Sequence, residues 1–81
     1  MRVVVECFGA TRRWCGADAI ALDLAANATI DDALEHLAEQ HPELAARRES
    51  IAVAIGDTIA ARSLMLSEGD RLALIPPVSG G

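Results

Sequence analysis

The stretch of this 81-residue chain whose residue types and order best suit a covalent task is the last one, Pro76-Pro77-Val78-Ser79-Gly80-Gly81. Pro76 and Pro77 have no amide hydrogen and favour an extended path, so a strand arriving at them cannot carry its ladder further. Residues 76–81 are therefore expected to leave the fold as a flexible tail. At about 3.3 Å per residue such a tail reaches about 20 Å, enough to enter a deep pocket on another protein. Gly80 and Gly81 present no side chains, so a partner can close around the backbone and still touch the final carboxyl carbon of Gly81. A carboxylate is a poor electrophile, and acyl chemistry there requires activation, for which an ATP-derived acyl-adenylate is the obvious form. The chain has no Gly-x-x-x-x-Gly-Lys loop and no lysine at all, so activation is expected from another protein. The competing reading is that Gly80-Gly81 is an ordinary frayed end.

Other chemistry-bearing residues point to less. His36 and His41 are five apart, a spacing that does not put both on one helix face as a metal pair requires, and Cys7 and Cys15 do not supply finger-type ligands. No metal site is expected. A Cys15 nucleophile with a histidine base lacks a third group or an oxyanion motif. Cys7 falls on an inward parity and reads as a small core residue, and the two cysteines read as reduced thiols. Trp14 reads as a hydrophobic plug. With a net charge of −5, one Trp, one Phe and no Tyr, the chain offers neither a phosphate-binding field nor a stacking platform, so nucleic acid is not an expected partner. All seven basic residues are arginine, which would keep an activated carboxyl end from attack by the chain's own lysines; a genome biased towards arginine codons gives the same count.

These groups must be positioned by a single small domain over residues 1–75, because a chain of this length has one thin core. The composition, 52% hydrophobic and 23% charged, is globular, and the apolar residues are dispersed, so no membrane span and a cytoplasmic location are expected. Val3, Val5 and Cys7 alternate with Arg2, Val4, Glu6 and Phe8, predicting a first strand with the second set outward. After a glycine-bounded loop from Gly9 to Gly16, Ile20, Leu22 and Leu24 share one side of a second strand that returns as a hairpin. Thr29 is a candidate N-cap for a helix whose Ile30, Ala33, Leu34, Leu37 and Ala38 form a core-facing stripe, ended by His41-Pro42. A short helical turn over Glu43–Arg48 comes next.

Ile51–Ile55 reads as a strand, Gly56-Asp57 as a turn, Ile59-Ala60 as a short return, and Arg71–Ile75 as the last strand with Leu72 and Leu74 inward. This is an α+β pattern, a mixed sheet packed on one main helix, and it fits a ubiquitin-like β-grasp roll in which first and last strands lie parallel and adjacent. In that arrangement the outward apolar residues Phe8 and Ile75 fall together near the root of the tail. Ile59 joins them as a candidate partner-binding patch.

The ending Leu74-Ile75-Pro76-Pro77-Val78-Ser79-Gly80-Gly81, preceded by Glu68-Gly69-Asp70, resembles the MoaD family, the small subunit of molybdopterin synthase. Val3-Val4-Val5-Glu6-Cys7-Phe8-Gly9 and the helix start from Thr29 to Leu37 are similar to the same family, so the resemblance spans the chain. It implies a sulfur carrier of molybdenum cofactor biosynthesis that is not an enzyme alone and binds no cofactor itself. An E1-like enzyme using ATP would adenylate Gly81, and sulfur transfer would give a C-terminal thiocarboxylate. The tail would then insert into the large subunit and deliver sulfur to cyclic pyranopterin monophosphate. The implied assembly is a heterotetramer with Phe8, Ile59 and Ile75 at the contact. Two features depart from the family pattern: Ile55 stands where many relatives carry Asn before the turn glycine, and Arg12-Arg13-Trp14-Cys15 replaces a loop of Leu-Arg-Glu type. The alternatives are a related carrier for thiamine or cysteine synthesis, against which Pro76-Pro77-Val78 argues, a ubiquitin-type modifier joined to lysines, and a passive module with an inert end.

Overall fold

Val3, Val5 and Cys7 are buried while Arg2, Val4 and Glu6 face the other way, and this period of two makes β1 (Arg2–Cys7). The computed structural model describes residues 1–77. Val78, Ser79, Gly80 and Gly81, where most of the expected tail falls, lie outside the described residues.

The first expectation to be corrected is the loop from Gly9 to Gly16, which is a helix, α1 (Ala10–Cys15). Both glycines hold backbone conformations that side chains resist: Gly9 has φ 54° and ψ −130°, and Gly16 has φ 72° as the left-handed C-cap. They mark the two ends of a helix too short to show a 3.6-residue period. β1 also stops one residue early, and Phe8 lies beyond it as the link into α1. The return strand β2 (Ala19–Asp23) pairs antiparallel with β1, as expected of a hairpin, although Leu24 falls just outside it.

Thr29 caps α2 (Ile30–Gln40) as its position predicts. The Asp32 amide donates to Thr29 Oγ1 at 3.2 Å, and Asp32 Oδ2 accepts the Thr29 amide at 2.9 Å, a reciprocal capping box. Ile30, Ala33, Leu34 and Leu37 are buried against the sheet, with Ala38 half-buried at the edge of the stripe. Pro42 begins a separate helix, α3 (Pro42–Arg47), succeeded by a 3-10 turn at Arg48–Ser50. α2, the main helix, is joined in the core by the shorter ones: Leu44 of α3 is fully buried and Cys15 of α1 nearly so.

The chain then forms β3 (Ala52–Ile55), β4 (Thr58–Ile59) and β5 (Arg71–Ile75). The five strands lie in the order β2-β1-β5-β3-β4. β1 and β5 are parallel neighbours at the centre, and the remaining pairs are antiparallel. This is the mixed sheet of a ubiquitin-like β-grasp fold. Leu72 and Leu74 join Val3, Val5, Val53 and the α2 stripe in one core, as the alternation predicts. Among the described residues no helix is long and apolar enough to cross a membrane.

Candidate functional site

The parallel register fixes where β5 delivers the end of the chain. Val4 to Cys7 pair with Arg71 to Leu74, so one step further Phe8 stands beside Ile75. Ile75 also pairs with Ala52. Pro76, with no amide hydrogen, ends the ladder there. Two residues that sequence reasoning did not single out shape this point. Thr11 of α1 is fully buried; its Oγ1 accepts the Phe8 amide at 2.7 Å, donates to the Phe8 carbonyl at 2.6 Å and lies 3.4 Å from the Leu74 carbonyl oxygen. Gly9 sits under Pro76, where a Cβ would meet Pro76 Cγ at 3.5 Å. The Phe8–Thr11 turn thus forms a saddle over which the chain leaves β5. Its signal in the sequence was Thr three residues after an outward Phe, with glycine between.

The outward face of the sheet is organised by the same register. Ala19, Glu6, Ala73, Ala54 and Ile59 form one row across all five strands. Ile75 and Ala52 form the next row, with Phe8 just beyond the end of β1. Phe8 is 52% exposed and Ile59 is 62% exposed, whereas Ile75 is half-buried. By register Ile75 and Ile59 share a face, and Phe8 lies beside its edge, just past β1. Phe8 and Ile75 are neighbours, while Ile59 stands two strands and one row from Ile75, about 12 Å away at ordinary strand spacing and rise. Between them lies a floor of small side chains, Ala54 buried and Ala52 and Ala73 half-buried. Alanines opposite one another on outward parity are the trace of that floor in the sequence. Arg71 Nη2 donates to Glu6 Oε2 at 2.7 Å on this face, a solvent-facing pair that orients two side chains and adds little stability.

The remaining candidates are placed away from this face. Cys7 and Cys15 are free and buried. Burial pushes the Cys7 thiol up to about 12, with Cys15 beside it adding to the shift, and burial raises the Cys15 thiol as well. Thiols so raised carry almost no thiolate at neutral pH and are poor nucleophiles. Trp14 is half-buried against the core, as a plug would be, and the Arg47 guanidinium lies 4.8 Å from its ring centre, joining α1 to α3. His41 is the hinge residue between α2 and α3. Pro76 is half-buried and Pro77 exposed.

Comparison with known proteins agrees with this fold. The profile of the ThiS family matches residues 5–81. The molybdopterin synthase sulfur carrier subunit of Haemophilus influenzae is 37% identical over 76 residues, covering 91% of this chain and 93% of that one. Small archaeal modifier protein 1 of Haloferax volcanii is 36% identical over 81 residues, covering 82% of this chain and 85% of its own. The crystal structure of small archaeal modifier protein 1 from Haloferax volcanii superposes with a TM-score of 0.88 at 31% identity, covering 100% of both chains. The chain belongs to the ThiS family, and it is a ubiquitin-like sulfur carrier of the ThiS and MoaD type.

Proposed function

We propose that this protein carries sulfur as a thiocarboxylate on Gly81 and delivers it during molybdenum cofactor biosynthesis. The observation that carries the reading is the family match, which runs through Gly81 and includes the whole Pro76–Gly81 segment. The relative named as a molybdopterin synthase sulfur carrier subunit supports this branch over the thiamine and cysteine carriers. An E1-like partner binds ATP; the Gly81 carboxylate attacks the α-phosphorus, pyrophosphate leaves, and a sulfur donor then displaces AMP. The thiocarboxylate sulfur is a nucleophile on a tether, and a large subunit supplies the substrate pocket, the acids and the bases. Phe8, Ile75 and Ile59 around the alanine floor are the docking face for that subunit, and Gly9 and Thr11 set the direction in which Pro76 and Pro77 leave. The chain contributes position and a reactive end, and it is not catalytic alone.

A second reading is favoured by the similarity to small archaeal modifier protein 1: transfer of the activated Gly81 acyl group to an amine of another protein. One experiment separates the two. The thiocarboxylate form is mixed with the large subunit and cyclic pyranopterin monophosphate, and in parallel the unmodified chain is incubated with the E1-like enzyme, ATP and a cell extract. Dithiolene product in the first arm supports the carrier. Isopeptide-linked adducts in the second arm, with no product in the first, support the modifier.

A further inference from the structure

An activated acyl group is at risk from every amine and thiol on its own chain. We propose that the body of this protein is inert towards its own activated carboxyl end, presenting it with no free amine or thiol, so that the acyl group survives until a nucleophile on a partner takes it. The proposal rests on the reading of Gly81 as the activated group.

Three independent observations carry it. The sequence contains no lysine; all seven of its basic residues are arginine, and a guanidinium is not a practical acyl acceptor. The Met1 ammonium is tied to the sheet edge, donating to the Leu24 carbonyl at 2.6 Å while the Leu24 amide returns a bond to the Met1 carbonyl at 2.8 Å. The two thiols, Cys7 and Cys15, are each only 3% exposed in the core.

Topology reinforces the second point. Because β1 and β5 run parallel, the chain leaves β5 beside Phe8, at the opposite end of β1 from Met1. Seven residues of strand separate the two levels, about 23 Å at normal rise. Residues 76–81 fully extended span only about 20 Å. The α-amine is thus both engaged and at the limit of reach. Under the modifier reading, a chain of this kind donates its acyl end without accepting one, and successive copies are not built on its own side chains.

The test installs the activated group chemically, so its outcome does not depend on enzymatic loading. The full chain is prepared with Gly81 as the thioester of a small alkyl thiol. Capture by an amine then forms an amide, releases the thiol and gives the amine proton to solvent. Arg12→Lys serves as the companion, because Arg12 comes directly after Thr11 in α1 beside the exit of β5 and its side chain is exposed, paired with Asp18 at 2.6 Å. Intact mass is recorded over time at mildly alkaline pH, with circular dichroism confirming that both chains are folded. The wild type is expected to give the free carboxylate by hydrolysis, whereas Arg12→Lys gives a hydroxylamine-resistant amide at least about tenfold faster than the wild type, since proximity raises effective concentration. In urea, which exposes Cys7 and Cys15, the wild type is expected to lose the small thiol to an internal thioester. Amide-linked wild-type product at a rate matching the variant would overturn the proposal. So would equal hydrolysis of the two chains without amide, because the missing amines would then protect nothing. Thiol release that is the same folded and in urea would remove the role assigned to burial.

Discussion

At the scale of single residues, the two buried thiols and Thr11 give the clearest physical consequences. Each thiol titrates above its ordinary value of 9.0 because its charged form is disfavoured in the core. The folded chain therefore holds these protons more tightly than the unfolded chain, and the associated stability is complete below that value and drains as pH climbs towards about 12. The chain has no tyrosine and no lysine to titrate in the same window. Thermal melts from about pH 8 to about pH 11 are thus expected to show a decline of at most about 1.4 kcal/mol per pH unit per thiol. A Cys7→Ala, Cys15→Ala double variant should show a nearly flat profile, and an unchanged slope would refute the assignment. Thr11 is buried with both roles of its hydroxyl used. Thr11→Val leaves the Phe8 amide without its partner and is expected to cost about 1–3 kcal/mol in urea unfolding, with Thr11→Ser recovering most of it.

At the scale of elements, legibility in the sequence tracks the length of each pattern. α2 is readable from its Thr29 cap and its stripe, and the central strands from strict alternation, because each spans enough residues for a period to repeat. Thr29→Ala is expected to lower stability by about 1 kcal/mol, measurable by denaturant titration. α1 is not readable: six residues between two positive-φ glycines carry under two turns, and glycine punctuation alone reads as loop. Phe8, for which parity predicts an outward place, is exposed but lies beyond the end of β1. Sequence parity could not supply the lateral distance between Ile59 and Ile75, which depends on the strand order β5-β3-β4. If this face docks a large subunit, Phe8→Asp should weaken the association at least about tenfold, as loss of an aromatic anchor does, with little change in melting temperature because Phe8 packs mostly into solvent. Titration calorimetry beside a melt checks the ranking, and equal affinity for the two chains would move the docking face elsewhere.

At the scale of the whole molecule, one topological fact governs the rest: the first and last strands lie parallel at the sheet centre. Among the described residues, Leu74 is the last member of the buried core. The parallel pairing also keeps the chain's α-amine away from the exit of β5. The family relationship is legible from the Pro76–Gly81 motif, which the family match includes. Deletion of Gly81 is accordingly expected to leave the melting temperature unchanged and to abolish sulfur loading. The most direct measurement is tandem mass spectrometry of the chain after incubation with its E1-like enzyme, ATP and a sulfur source. The expected result is the mass gain of sulfur replacing oxygen, located on the carboxyl-terminal fragment ion that contains Gly81 and missing from the deletion variant. Sulfur found on Cys7 or Cys15, with the Gly81 fragment unmodified, would contradict a carrier that works through its last carboxyl group.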